Sequence, residues 1–152
     1  MICKHLTDED KKAICQWKYE GEYSIYNLPS YEYLKESKSG FMNLGKENNY
    51  RVFKNGDDII GYINLSERET EVFIGIGVNP SFLNMGFGTE ILLESYELSK
   101  EFYPEKPLYL EVRSWNKRAI KCYQKAGFII DSDAFERETP IGIGYFYRMI
   151  KL

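Results

Sequence analysis

The sequence predicts an α/β (α+β) fold: a mixed, mostly antiparallel central sheet of six to seven strands, with helices on both faces. Three observations lead to this prediction. Helical segments precede an apolar hairpin, amphipathic helices and strands then alternate to the end, and no repeat or linker interrupts the 152 residues. A chain of this length buries a sizeable core as one domain, so a single domain over residues 1–152 is expected.

The N-terminal third combines one helix signal with an aromatic stretch. Thr7, with Asp10 three residues later, resembles a capping box and predicts a helix that runs to about Trp17. Residues 17–33 then place six aromatic side chains among turn-forming Gly, Asn and Pro, which interrupts any long helix. We therefore expect a loop followed by a short helix over residues 30–36.

The central segment predicts three strands. Residues 50–54 and 59–65 flank Asn-Gly-Asp-Asp, whose turn chemistry predicts a hairpin. Residues 71–78 end in Val-Phe-Ile-Gly-Ile-Gly-Val, which is apolar on both faces and therefore typical of a central strand. The two glycines in this run indicate a close approach to the backbone.

The C-terminal half predicts two amphipathic helices between strands. The first helix begins at Thr89 and ends before Pro104, with one side formed by Ile91, Leu92, Ser95, Leu98 and Phe102. The second covers residues 116–126, with Gly127 as its C-cap and an inward side formed by Ala119, Ile120, Tyr123 and Ala126. Strands are expected over residues 107–112, near 128–130 and over 144–150.

Composition disfavours several classes of partner and ligand. The formal net charge of −3 provides no field that would attract nucleic acid or an anionic membrane, and no run approaches the roughly 20 apolar residues of a membrane span. Cys3, Cys15 and Cys122 are widely spaced without a CxxC pair, so neither disulfides nor a zinc site are expected. The start of the sequence lacks the apolar segment of a signal peptide, and we expect a cytoplasmic protein.

The strongest motif is a glycine turn between a buried strand and a helix. The predicted strand ends at Val78, a proline follows two residues later, and Gly86-Phe87-Gly88 opens the helix. Glycines let the backbone approach a ligand closely, and the amides and dipole at a helix start attract an anion such as phosphate. Taken alone, the same pattern also fits a tight structural turn.

A second block of sequence helps to interpret the glycine turn. Residues 116–128 read Asn-Lys-Arg-Ala-Ile-Lys-Cys-Tyr-Gln-Lys-Ala-Gly-Phe. Together the two blocks resemble motifs A and B of the GNAT superfamily of N-acetyltransferases, with Val-x-Pro, Gly-x-Gly, Asn-x-x-Ala-x-x-x-Tyr and Gly-Phe in order. The resemblance covers residues 50–130 well and the N-terminal third loosely. It implies an acetyl-CoA-dependent N-acyltransferase with acetyl-CoA as cosubstrate and no metal.

The resemblance also implies a cofactor site. In the family, the strand matching residues 73–78 parts from the one matching 108–112, and the pantetheine arm lies against backbone groups there. The amides of residues 84–89 would hold the pyrophosphate. The residues expected to bind the cofactor are Ile76, Gly77, Val78, Leu83, Asn84, Met85, Gly86, Phe87, Gly88, Thr89, Asn116, Arg118, Ala119 and Tyr123.

Two positions depart from the family pattern. Leu83 stands where the family usually has Gln or Arg, and Asn84 stands where glycine is common. Asparagine tolerates a left-handed backbone better than most residues, so the turn is expected to survive. Lys117, Lys121 and Lys125 form a stripe that either contacts the cofactor phosphates or is a solvated helix face.

Tyr123 matches the tyrosine that protonates the departing CoA thiolate in many family members. A phenol of pKa about 10 donates to a thiolate of pKa about 8.5 only when geometry favours the transfer, so positioning decides its role. The alternative is an inward core tyrosine on an amphipathic helix. Asn116 is expected to cap that helix, a role compatible with a cofactor contact.

No general base is predicted. Family members that use a glutamate often carry it at the position of Val72, and the adjacent Glu71 points to the other face by strand alternation unless a bulge turns it. A water relay would leave no sequence trace. His5 is expected at the surface. Three further carboxylates are candidate bases that no spacing places near the site: Glu22, Glu32 and Glu111.

The aromatic stretch occupies the segment that forms the acceptor wall in the family. Its candidates for acceptor contact are Trp17, Tyr23, Tyr26 and Tyr31, although such side chains also commonly fill a core. Interleaved glutamates would suit a cationic or aromatic amine. The acceptor class is a small-molecule amine or a peptide or protein amine, and the protein is expected to be a monomer or homodimer.

Three functions are compared. Direct attack of a neutral amine on an acetyl thioester is the main expectation. The alternative is a non-catalytic acyl-CoA sensor or interaction module, which the lack of an acid at Val72 favours. A nucleotide-binding fold fits badly, because an antiparallel hairpin precedes the glycine turn and no acidic residue follows a second strand as that fold requires.

Overall fold

A computed structural model describes residues 1–152. The chain divides into two compact units, Met1–Asn64 with Ile76–Phe87 and Leu65–Gly75 with Gly88–Leu152. Short 3-10 helices occupy Gly21–Tyr26, Gly40–Met42, Leu44–Asn49 and Pro80–Phe82. The other elements are β1 (Ile2–Lys4), α1 (Asp8–Cys15), α2 (Tyr31–Ser37), β2 (Tyr50–Asn55), β3 (Asp58–Glu67), β4 (Val72–Val78), α3 (Phe87–Phe102), β5 (Leu108–Arg113), α4 (Lys117–Lys125), β6 (Ile129–Ile130), β7 (Phe135–Thr139) and β8 (Gly142–Lys151).

The strands form one mixed sheet in the order β1-β2-β3-β4-β5-β8-β6, with β7 also paired to β8. The β4–β5 ladder is parallel, whereas β1–β2, β2–β3, β5–β8, β6–β8 and β7–β8 are antiparallel. The predicted fold class is therefore confirmed, with eight strands in place of six to seven. The sequence pattern missed β1, which has only three residues, and β7, whose charged Phe-Glu-Arg-Glu-Thr lacks apolar alternation.

The capping box at the start of α1 forms as predicted. Thr7 Oγ1 accepts from the Asp10 amide at 3.1 Å, and Asp10 Oδ2 accepts from the Thr7 amide at 2.9 Å. Asp10 is buried and also pairs with Lys54 Nζ at 2.7 Å, which ties α1 to β2. The helix ends at Cys15, two residues before the predicted end.

The core of the first unit combines aliphatic and aromatic side chains. Its buried members are Ile14, Cys15, Tyr31, Leu34 and Phe41, and partly buried residues packed on them include Trp17, Tyr50 and Tyr62. Helix α2 follows the predicted position, since Ser30 caps it by accepting from the Tyr33 amide at 3.1 Å. Several aromatic side chains of the N-terminal third therefore pack in or against this core.

The second unit buries one face of α3. Ile91, Leu92 and Ser95 have no exposed surface, as the amphipathic pattern predicted. The predicted inward position of Phe102 is wrong, because this side chain is 51% exposed at the last residue of the helix. The buried position near this end is Ser99, one turn after Ser95 on the same face.

Helix α4 is fixed at both ends. Asn116 precedes its first residue, and after the cap residue Ala126 the chain reverses through Gly127 at a φ of 96°. Lys151 Nζ from β8 donates to the Ala126 carbonyl at 2.8 Å, which satisfies a carbonyl that the helix end leaves open. None of the helices combines the length and apolarity needed to cross a bilayer.

Candidate functional site

The glycine turn adopts the conformation that its sequence predicts. Asn84 and Gly86 have φ values of 62° and 82°, both in the left-handed region. A β-carbon at Gly86 would meet no neighbour within 4 Å, so the positive φ, and not crowding, accounts for the glycine. The expected tolerance of Asn84 for this backbone is thus confirmed.

This turn leads directly into the N-terminus of α3. Asn84, Met85 and Gly86 are exposed, and the 16-residue helix begins at Phe87. The first four amides of a helix have no acceptor within it, and together with the helix dipole they attract an anion. Leu83 is extended and half-buried and offers no polar side chain. The residues present therefore fit a diphosphate held by main-chain amides.

Thr89 fixes the start of α3 to α4 within the second unit. Its hydroxyl donates to the Cys122 carbonyl at 3.2 Å and lies 3.5 Å from Cys122 Sγ. Gly88 and Thr89 are half-buried and belong to the first turn of the helix. The side chain of Thr89 thus supports the helix start, while its amide is among those expected to face an anion.

The parallel ladder between β4 and β5 is short. It joins Val72 to Leu108 and Phe73 to Tyr109, although β4 within this unit continues to Gly75 and β5 continues to Arg113. Backbone groups of β4 beyond Phe73 are therefore not paired with β5. An extended ligand can use such backbone groups as an added strand does. The resemblance predicted that the two strands would part in this region.

The last residues of β4 lie in the first unit and are closely supported there. Ile76, Gly77 and Val78 are half-buried, and a β-carbon at Gly77 would lie 2.4 Å from Cε1 of Tyr62. The close approach predicted for this strand's glycines is therefore real at Gly77, and the approaching group is an aromatic ring. Tyr19 donates its hydroxyl proton to the Val78 carbonyl at 2.6 Å.

Helix α4 carries the candidate proton donor. Asn116 is buried and its Oδ1 accepts from the Ala119 amide at 3.2 Å, which confirms the predicted cap. Arg118, Ala119 and Tyr123 are half-buried. The three lysines of the stripe are exposed, as a solvated helix face requires: Lys117, Lys121 and Lys125. The cofactor contacts of these residues and the catalytic role of Tyr123 stay predictions.

The four candidates for acceptor contact differ in how deeply their side chains are buried. Tyr31 is 9% exposed and donates to Asp8 Oδ1 at 2.7 Å, a hydrogen bond that raises the pKa of Tyr31 to about 12. Trp17 packs on the core with its ring 5.9 Å from that of Tyr62. Tyr23 is half-buried and Tyr26 is 38% exposed. Tyr31 serves the core, and the acceptor contacts of the set stay a prediction.

The candidate bases are mostly engaged or exposed. Glu71 lies just before β4 and accepts two bonds from Arg148, at 2.8 and 2.6 Å, which hold the pKa of Glu71 below its usual range. Such a carboxylate is a weak base. Glu111 pairs with Arg137, whereas Glu22 and Glu32 are exposed. No group of three or more His, Cys, Asp or Glu side chains is placed to hold a metal.

We expect Glu71→Gln to lower the free energy of unfolding by about 1–2 kcal/mol at pH 7, because it removes a charge-assisted bidentate pair. The pKa of Glu71 is lowered in the folded protein, so its stabilisation is complete above the unfolded-state pKa and is lost as pH falls through the lowered value. Urea unfolding of parent and variant at pH 7 and near pH 3 should therefore show a difference that shrinks in acid.

The matched control is Glu69→Gln, which removes an exposed carboxylate two residues away. Its effect on the free energy of unfolding should stay within about 0.5 kcal/mol at both pH values. A loss in Glu71→Gln that is equal at the two pH values would contradict the ionic origin of the stabilisation.

The fold and the glycine turn agree with a match to a family of known proteins. The family described as acetyltransferase (GNAT) matches residues 11–128, which is more than half of the chain. This protein belongs to that family.

One relative and two solved structures are similar to this chain. An N-alpha-acetyltransferase of Sulfurisphaera tokodaii is 32% identical over 118 residues, covering 67% of this chain and 65% of the relative's length. The crystal structure of spermidine N-acetyltransferase from Vibrio cholerae with CoA and spermine superposes with a TM-score of 0.78 at 20% identity, covering 99% and 94% of the two chains. The ribosomal-protein-S18-alanine N-acetyltransferase from Escherichia coli gives 0.66 at 19% identity, covering 98% and 91%. The two structural likenesses show the fold.

Proposed function

We propose that this protein transfers an acetyl group from acetyl-CoA to a primary amine by direct attack. The observation that carries the proposal is the turn at the start of α3, where Asn84 and Gly86 hold left-handed conformations directly before the first turn of the helix, whose amides have no acceptor within it. The short β4–β5 ladder supports it, because it leaves β4 backbone groups for an extended ligand arm. Membership of the acetyltransferase family supports the donor.

Two groups carry the proposed chemistry. A main-chain amide near Val78 stabilises the negative charge that develops on the acyl oxygen. The Tyr123 phenol gives a proton to the departing sulfur. Acetyl-CoA supplies an acetyl group activated as a thioester. A carbon–nitrogen bond forms, the carbon–sulfur bond breaks, the amine proton passes to solvent and the phenol is reprotonated from solvent.

The acceptor is proposed only as a class. A relative at 32% identity is named for N-alpha-acetylation, and a structural neighbour holds spermine, so both peptide and small-molecule amines belong in a test panel. Exposed Glu20 and Glu22 lie beside Tyr23 along the chain and favour a cationic acceptor. The three free cysteines suit a reducing compartment, and we propose the cytoplasm.

Binding and turnover test the proposal separately. At a concentration of acetyl-CoA about 100 times its Kd, the folded protein should gain about 2.7 kcal/mol, which raises Tm by several degrees. Thiol release should then appear with at least one amine from a panel of spermidine, amino acids, aminoglycosides and unblocked peptides. Acetylation of the acceptor is verified by mass spectrometry.

The outcomes distinguish the two functions. A Tm increase without thiol release on any amine would favour the acyl-CoA sensor and refute the enzyme. No Tm increase and no heat of binding with acetyl-CoA would refute both. Desulfo-CoA is the control ligand, because it keeps the diphosphate but cannot release a thiol.

A further inference from the structure

The peptide group that joins Val78 to Asn79 is bonded at both of its polar atoms. The Tyr19 hydroxyl donates to the Val78 carbonyl at 2.6 Å, and the Asn79 amide donates to the Ile60 carbonyl at 2.8 Å. All of these residues belong to the first unit. Two hydrogen bonds, one at its carbonyl and one at its amide, therefore fix the orientation of this peptide plane at the end of β4.

The side chain of Asn79 adds further anchors. Its Nδ2 donates to the Ile59 carbonyl at 2.9 Å, and its Oδ1 accepts from the Ser81 amide at 2.9 Å. The amide of Tyr19 in turn donates to Asn27 Oδ1 at 2.7 Å, which ties residue 19 into its own loop. The phenol of Tyr19 thus reaches Val78 from a segment that is itself fixed.

We propose that Tyr19 is a positioning residue for acetyl transfer, because its hydroxyl fixes the peptide group between Val78 and Asn79. The inference rests on the proposed function, in which the thioester meets the amine beside the backbone near Val78. Turning the Val78 carbonyl also moves the adjacent backbone, including the amide that is proposed to stabilise charge on the acyl oxygen. Errors of about 1 Å in such placement can cost about 100-fold in rate.

Tyr19→Phe keeps the ring and removes only the hydroxyl. We expect kcat to fall about tenfold, while the Kd for CoA changes less than threefold, because the turn at Asn84 and Gly86 is untouched. Hydrogen exchange at the Asn79 amide should become faster, since the peptide loses one of its two anchors. A purely structural role would lower Tm without this selective loss of kcat.

The matched control is Tyr96→Phe. Tyr96 also donates its hydroxyl proton to a main-chain carbonyl, that of Leu152, in the second unit. Its removal should leave kcat within twofold of the parent. If Tyr19→Phe fails to fold, Asn79→Ala serves in its place, because it removes the side-chain bonds of Asn79 to Ile59 and Ser81 that hold this residue beside the same peptide group. A kcat within twofold of the parent in this variant would refute the positioning of that peptide.

The results separate failure of this inference from failure of the proposed function. Absence of turnover in the unaltered protein would refute the function, and the role of Tyr19 with it. Normal turnover in the parent together with a kcat within twofold in Tyr19→Phe would refute only the role of Tyr19. A tenfold loss matched by Tyr96→Phe would show a general stability effect and would also overturn the inference.

Discussion

Replacing Tyr123 by phenylalanine should lower kcat by about 100-fold or more, the usual contribution of a positioned general acid. The thiolate would otherwise have to leave unprotonated or take its proton from water. Affinity for acetyl-CoA should stay within about threefold, because the main-chain amides of the glycine turn are unchanged. Steady-state thiol release and calorimetric titration with CoA measure the two quantities.

The setting of Tyr123 makes this loss specific to the reaction. Helix α4 is fixed by the Asn116 cap and by Lys151 on the Ala126 carbonyl, so the phenol can be removed without releasing the helix. Tyr145→Phe is the control, because it removes an exposed phenol that donates to Glu136 in the same unit. Turnover of Tyr123→Phe within twofold of the parent would refute its assignment as the acid.

Gly86→Val should weaken acetyl-CoA binding at least tenfold. A β-branched residue at a φ of 82° is strongly strained, by about 1–3 kcal/mol, and the turn relieves this strain by rearranging. Rearrangement moves the amides that precede α3 away from the positions that suit a diphosphate. Calorimetric titration with CoA measures the affinity, and circular dichroism verifies the fold.

Gly56→Val provides the matched control for this variant. Gly56 lies in the β2–β3 turn of the same unit, at a φ of 59° with nothing within 4 Å of an added β-carbon. It should therefore cost comparable stability and leave CoA affinity within twofold. Equal losses of affinity in the two variants would show that the glycine turn has no special role in binding.

Local chemistry made part of this molecule predictable. The Thr7 capping box, the left-handed turn at Asn84 and Gly86, and the Asn116 cap each depend on residues within a few positions of one another. A single sequence carries such signals completely. Each of the two motif blocks that carried the family resemblance is likewise a pattern of short spacing.

Contacts between distant positions were not predictable. Tyr19 and Val78 are 59 residues apart, and Arg148 and Glu71 are 77 apart, so no spacing rule connects either pair. The aromatic stretch predicted that its tyrosines either contact the acceptor or fill the core. It could not indicate that Tyr31 bonds Asp8 in the core or that Tyr19 reaches a strand end.

Weak patterns account for the remaining errors. Strand β7 is mostly charged and forms because β8 offers it a partner, which propensity alone does not reveal. Phe102 continues the apolar period of α3 but lies at its final residue, where little of the unit covers it. Both cases show tertiary surroundings overriding a local pattern.

The close approach of the Tyr62 ring to Gly77 limits which residues can occupy the two positions. An added methyl group at residue 77 would overlap the phenol ring, whose Cε1 would be 2.4 Å away, and the ring packs in turn on the core of its unit. A larger residue at position 77 therefore fits only when position 62 carries a smaller one. Among homologues, these two sites are therefore expected to vary jointly, with a bulkier residue at 77 accompanying a smaller one at 62.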